Sequence, residues 1–311
     1  MHTPEREAPE AEGVAGAEVD DDKLAELQRA LAGLEGVWLR RAEPLARHNT
    51  LRVGGPADLW CVVDAPERLP AVWAAASKAG VPTSIDYPLA DRLIKAGGIG
   101  GLVIRPGLGF EGMRMLEGED GPRLELGACT PFARAAVLGG TWAALGTWPG
   151  TPGAWLGGPR WSALADFADS ILIQRGKTVT ELPWHEGEPP PEPGPRGVLR
   201  AIRLRAPLSL RLHRPPPPTG TLFSPMPKVP GGVLGLLRGA GVLGSRLRAW
   251  RLEHNGALSQ QGGGTTDDLL MFAKAIRARV HAVHGLEPEP FAPVVGRNPI
   301  RRSPRARKVS P

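Results

Sequence analysis

Leucines recur at positions 24, 27, 31 and 34, and this spacing predicts an amphipathic helix over 22–35, with Asp22 capping its start and Gly36 ending it. A solid apolar run at 59–64, LWCVVD, reads as a buried strand. A helix is expected next, opening at Pro66 and stopping at Gly80, with Leu69, Val72, Trp73 and Ala76 on one face. A strand near VPTSID then completes a β-α-β unit, and further strands are expected at 101–105 and 123–128, the latter leading into a helix from Pro131 to Leu138. Towards the other end, Leu269, Phe272, Ala273, Ile276, Val280 and Val283 form one stripe. Thr265 or Thr266 can cap that helix, Asp267 and Asp268 suit its positive end, and Gly285 stops it. The alternation of strands and helices argues for an α/β or α+β protein.

At 311 residues the chain is long enough for two or three subdomains. Its acidic opening, MHTPEREAPEAEGVAGAEVDDD, lacks the apolar core of a signal peptide, and no run is long enough to span a bilayer, so a cytoplasmic protein without membrane contact is expected. The net charge of +6 rests on residues 297–311, which hold six basic side chains and no acid. A short basic end of this kind reads as a solvated, disordered tail, and nucleic acid is the weakest of the partner classes. Cys61 and Cys129 lie in apolar runs without metal-ligand spacing and read as buried free thiols. His281 and His284 share a helix face but lack a third ligand, so no metal is expected.

Residues 47–58, RHNTLRVGGPAD, are the stretch around which the rest of the chain is organised, although a Gly-Gly-Pro turn by itself is more often a plain turn than a phosphate cradle. Leu51 and Val53 run into Gly54-Gly55-Pro56, the pattern of a strand that ends in a tight turn. The string from Asn49 to Ala57 matches the signature N-T-[FL]-R-[IV]-G-G-P-A, and on it the chain resembles the UDP-N-acetylenolpyruvoylglucosamine reductase family over roughly residues 40–296. That resemblance implies FAD and NADPH as cofactors, a UDP-sugar as substrate and reduction of an enolpyruvyl ether in peptidoglycan precursor synthesis. The fold it implies is α+β. A disordered stretch (1–21) would precede a two-lobed FAD-binding-type α/β domain (22–205) and a smaller α+β substrate-type domain (206–296), with the basic tail (297–311) last.

A second echo is Trp148-Pro149-Gly150-Thr151-Pro152-Gly153-Ala154, which resembles the family's I-P-G-[ST]-x-G-G, a turn beside the flavin. The resemblance thus assigns Arg52, Gly54, Gly55, Pro149, Gly150, Thr151 and Gly153 to the cofactor. Trp142, Trp148, Trp155 and Trp161 read instead as filler of the core. In the third part, Gly220-Thr221-Leu222-Phe223 stands where the family has G-S-V-F, so Thr221 keeps a hydroxyl for proton donation. His254 and the turn Gly262-Gly263-Gly264 also follow the family's skeleton.

Elsewhere the sequence departs from the family. The pyrophosphate loop, G-G-G-S-N-L-L in the family, falls on Tyr87-Pro88-Leu89-Ala90-Asp91, which loses every glycine and gains a carboxylate. The substrate-contacting Tyr-Arg pair is replaced by Leu182-Pro183-Trp184-His185-Glu186 and a proline-rich stretch, and the lysine of K-N-P is lost in Ser224-Pro225-Met226-Pro227. The proline-rich GEPPPEPGPRG at 187–197 and Pro215–Pro218 both read as spacers rather than docking motifs. The family's terminal glutamate falls on Phe291, and Glu289 takes its role only if the register shifts locally. Thr221 and Glu289 are therefore the catalytic candidates. The expectation is a catalytically impaired, possible pseudoenzyme member that acts by binding or regulation, with an unknown protein partner; the alternative is an active FAD-dependent reductase using NADPH.

Overall fold

The computed structural model describes residues 19–88, 92–118, 120–156, 161, 164–165, 167–185, 188–194, 196–205, 222–223, 229–289 and 294–298. Helix α1 (Asp21–Leu31) buries Leu24, Leu27 and Leu31. Its cap is Asp20 rather than Asp22: the Asp20 carboxylate accepts from the Asp22 amide at 2.9 Å. Asp20 is extended and stands one residue before the helix, as a cap must, whereas Asp22 is already helical.

Strand β1 (Val37–Pro44) pairs antiparallel with β2 (Pro56–Val63). A 3₁₀ turn at Pro66–Arg68 then opens α2 (Leu69–Lys78), β3 (Thr83–Ile85) follows, and β4 (Leu93–Ile94) precedes β5 (Ile99–Pro106). The first sheet runs β1-β2-β5-β3, with β2, β5 and β3 parallel. Strand β2 reads as continuous apolar sequence because both of its faces are covered. Leu59, Cys61 and Val63 join the main core beneath α1 and α2, while Ala57 and Trp60 join a smaller cluster with Leu45, Ile94, Ile99 and Val103. Burial pushes the Cys61 and Cys129 thiols up to about 12, which leaves both protonated and inert at neutral pH.

The second sheet is antiparallel in the order β6-β7-β10-β8-β9, from β6 (Met113–Leu116), β7 (Arg123–Gly127), β8 (Ala168–Arg175), β9 (Thr178–Pro183) and β10 (Val198–Arg205). Leu124, Leu126, Ile171, Ile173 and Ile202 face the main core. The opposite face carries a cross-strand ion ladder in which Arg203 bonds both Glu125 and Glu181, and Arg114 bonds Glu125. Between β7 and β8, the helix expected from Pro131 to Leu138 is a 3₁₀ helix at Phe132–Leu138, followed by another at Gly140–Thr147. No side chain caps it and Gly139, at φ 66°, ends it, so the segment is too short to repay α-helix nucleation.

The short helix α3 (Pro152–Leu156) lies between those 3₁₀ turns and β8. The last part contains α4 (Gly232–Gly239), the antiparallel sheet of β11 (Arg246–Leu247), β12 (Trp250–Leu252) and β13 (Leu258–Gln260), and α5 (Thr266–His284). Thr265 caps α5 by accepting from the Asp268 amide at 3.1 Å, and Gly285 ends it at φ 67°. Leu269, Phe272, Ala273, Ile276 and Val280 of its stripe pack with Leu236, Leu237, Trp250 and Leu252 in a separate apolar cluster, whereas Val283, near the helix end, is exposed. Strand β14 (Val294–Val295) returns to pair in parallel with β4. No helix among the described residues is long and apolar enough to cross a membrane.

Beside the smaller cluster, His48 stacks on Trp60 at 4.4 Å and its Nε2 donates to the buried Glu43 carboxylate at 2.8 Å. This hydrogen bond, opposed by burial, holds the Glu43 carboxyl below its ordinary value of 4.5. A lowered folded pKa contributes stability above 4.5 that is lost as pH falls through the folded value. Glu43→Gln should therefore lower stability at neutral pH and flatten its loss below pH 4.5, as read in urea midpoints across that range. Equal slopes for the two proteins would sink the assignment.

Candidate functional site

The sequence-assigned residues fall into two places. Arg52, Gly54 and Gly55 lie in the loop from Asn49 to Gly55, which is not the end of a strand as the sequence suggested. The loop forms because Asn49 brackets Val53: its amide donates to the Val53 carbonyl at 2.6 Å and its carbonyl accepts from the Val53 amide at 3.4 Å. Arg52 is left exposed at φ 54°, and Leu51 and Val53 plug into the apolar cluster of the last part of the chain. The two glycines face the chain itself. A Cβ at Gly54 would lie 2.6 Å from Ile94 Cβ, and one at Gly55 2.1 Å from the Ala96 carbonyl oxygen.

The segment bearing β14 is sewn to the same place. Lys95 donates to the Val295 carbonyl at 2.9 Å, Gly97 to the Arg297 carbonyl at 3.0 Å, and Arg297 to the Gly98 carbonyl at 2.8 Å. The Arg297 guanidinium, grouped above with the basic tail, is instead clamped on both carboxylate oxygens of Asp58. Sequence reasoning missed this pair; the only signal was the apolar Val294-Val295-Gly296 run just before the arginine.

Pro149, Gly150, Thr151 and Gly153 form the second place, the turn leading into α3. Behind it, Trp148 stacks on Trp155 at 4.6 Å, Phe132 meets Trp155 edge-on at 4.9 Å, and the Trp155 indole donates to the Pro149 carbonyl at 2.7 Å. These tryptophans fill space. In front of the turn lies Tyr87. A Cβ at Gly153 would sit 2.3 Å from Tyr87 Cδ1, so residue 153 must be glycine to admit the tyrosine ring. The buried Tyr87 hydroxyl accepts from the Leu199 amide at 2.8 Å, and the Thr151 hydroxyl donates to the Pro88 carbonyl at 3.1 Å. Burial raises the phenol well above its ordinary pKa, so it stays neutral.

Of the catalytic candidates, Glu289 is exposed just beyond α5, and Thr221 lies outside the described residues. So do Leu89, Ala90 and Asp91 of the altered loop, residues 157–160 after the turn, Glu186, Pro195, Pro215–Pro218, the Ser224–Pro227 run and Phe291, together with the terminal stretches 1–18 and 299–311. Among the described residues no three His, Cys, Asp or Glu side chains gather as a metal site.

The chain is 30% identical over 288 residues to the UDP-N-acetylenolpyruvoylglucosamine reductase of Rubrobacter xylanophilus, covering 82% of this chain and 94% of that protein. The chain belongs to the UDP-N-acetylenolpyruvoylglucosamine reductase family. The reductase of the same name from Anaeromyxobacter dehalogenans is 29% identical over 301 residues, or 86% of this chain and 88% of that one. No family model matches the sequence. The crystal structure of the UDP-N-acetylenolpyruvylglucosamine reductase from Thermus caldophilus shares the fold at a TM-score of 0.57 and 20% identity, over 83% of this chain and 98% of that one.

The described residues do not fit the flavin that the family resemblance implies. The glycines of the first signature are closed against Ile94 and Ala96, and the glycine of the second is covered by Tyr87. Pro88 offers no N–H to a phosphate, and its carbonyl already accepts from Thr151. Asp86, at the base of the altered loop, bonds Arg105 at 2.9 Å and lies 3.5 Å from Arg92, so both of these cations are already engaged.

Proposed function

We propose that this protein is a non-catalytic member of the UDP-N-acetylenolpyruvoylglucosamine reductase family, tied by descent to peptidoglycan precursor synthesis and acting by binding or regulation. The reading is carried by one observation: the ring of Tyr87 lies on Gly153, in the corner that the family resemblance places beside the flavin. Loss of charge-assisted N–H contacts worth roughly 1.5–3 kcal/mol each would leave FAD too weakly held to matter in a cell. The replacement of the family's terminal glutamate by Phe291 supports the same reading from the proton side, since a phenyl group exchanges no proton.

The native protein should be colourless and should take up no FAD at submicromolar concentration in a fluorescence titration. Phe291→Glu alone should not produce turnover, because the cofactor would still be missing. Submicromolar FAD uptake by the wild type, or NADPH oxidation that starts only when the enolpyruvyl nucleotide sugar is added, would overturn this reading in favour of an active FAD-dependent reductase. In that case Thr221 and Glu289 would be the residues to test as proton donors.

A further inference from the structure

We propose that Tyr87 is an internal ligand: its side chain occupies a phenol-binding corner made by Gly153, the Leu199 amide and the Thr151–Pro88 contact. The inference deepens the non-catalytic reading and rests on it only for the meaning of the corner, not for its geometry. Each part of a ring-binding site is there. A bare glycine backbone forms one wall, where a Cβ would approach Cδ1, Cγ and Cε1 of the ring at 2.3, 2.5 and 2.8 Å. The amide at the start of β10 meets the hydroxyl at 2.8 Å, which fixes how far the ring enters. The wall itself is held from behind, because the Gly153 amide donates to the Ala128 carbonyl at 2.9 Å at the end of β7.

The contacts link regions far apart in sequence. Tyr87 and Leu199 are separated by 112 positions, and Thr151 and Pro88 by 63. One aromatic side chain thus joins the segment after β3 in the first sheet to β10 in the second. The chain contains a single tyrosine, and it is spent here. A phenylalanine would fill the same volume but leave the Leu199 amide without its acceptor. An occupant supplied by the chain is present at unit stoichiometry, so the two sheets stay joined without any small molecule.

The test removes the occupant and offers it back. Tyr87→Ala should melt roughly 5–10 °C below the wild type. 4-Methylphenol, the Tyr side chain as a free molecule, should recover several degrees of that loss at ~millimolar concentration while leaving the wild type unshifted. Toluene, which lacks the hydroxyl, should recover less. A melting point unchanged by the substitution, or the same 4-methylphenol shift in both proteins, would overturn the proposal.

Should Tyr87→Ala fail to fold, Tyr87→Phe carries the test. Amide exchange at Leu199 should then be faster by ~10-fold, on the scale of one lost buried hydrogen bond, and an unchanged exchange rate would overturn the proposal. FAD titrated into the wild type separates the two readings. Uptake there sinks the non-catalytic assignment, whereas absence of uptake together with no 4-methylphenol recovery sinks the internal-ligand proposal alone.

Discussion

Gly55→Ala is expected to cost this protein at least about 4 kcal/mol of folding stability. In the sequence Gly55 reads as a glycine kept bare for a cofactor, and such a residue costs binding when replaced, with little effect on stability. The structure points the other way. A Cβ at this position would lie 2.1 Å from the Ala96 carbonyl oxygen and 2.5 Å from the Gly98 amide nitrogen. Both are backbone atoms of the turn between β4 and β5, so no flexible side chain can give way. Relief requires the loop from Asn49 to move off β4, which withdraws Leu51 and Val53 from the apolar cluster under α5. Urea denaturation of the variant should show a midpoint far below the wild type or no cooperative transition. A near-native midpoint with altered ligand uptake would return Gly55 to the role its motif suggested.

Arg297→Met is expected to be the most costly change to a charged residue, at roughly 3 kcal/mol. The Asp58 and Arg297 side chains keep only 17% and 18% of their exposure, so neither loses its partner without leaving a poorly hydrated charge. The Gly101 amide still donates to Asp58 at 3.0 Å, which places the loss at the low end for a broken buried pair. Changing both partners together to residues of similar shape, as Asp58→Leu with Arg297→Met, should cost less than the sum of the single changes, since no charge is stranded. Strict additivity in the four-member cycle would show that the pair is not coupled.

Much of the fold was legible because periodicity reports burial directly. The stripes of α1 and α2, that of α5 as far as Val280, and the solid runs of β2 and β5 lie where the pattern put them, since each faces a continuous core. What failed were the places where backbone geometry decides. The apparent strand through Leu51 and Val53 is a loop because Arg52 sits at φ 54° and Asn49 holds Val53 by its own side chain, and neither fact leaves a trace in hydropathy. The helix at 132–138 winds as 3₁₀ for want of a cap.

The candidate site was legible as a set of motifs but not as an arrangement. Tyr87 could be identified as an intruder in a glycine loop, and Gly153 as a conforming glycine. That the ring of the first rests on the second depends on a contact between segments 66 positions apart, which one-dimensional spacing does not encode. Arg297 was grouped with its basic neighbours by composition, although its fate is set by a carboxylate 239 positions away.

That separation affects how the protein is made. β4 and the Asp58 carboxylate leave the ribosome well before their partners, Val294, Val295 and Arg297, the last of which follows Asp58 by 239 positions. The first sheet can assemble earlier in translation, yet the small parallel pair and the clamp on Asp58 wait until residues 294–297 have been made. Closing so long a loop is slow relative to local pairing. A nascent chain cut short before residue 294 would leave the β4 edge and the Asp58 charge uncovered, marking it as unfinished to a quality-control protease.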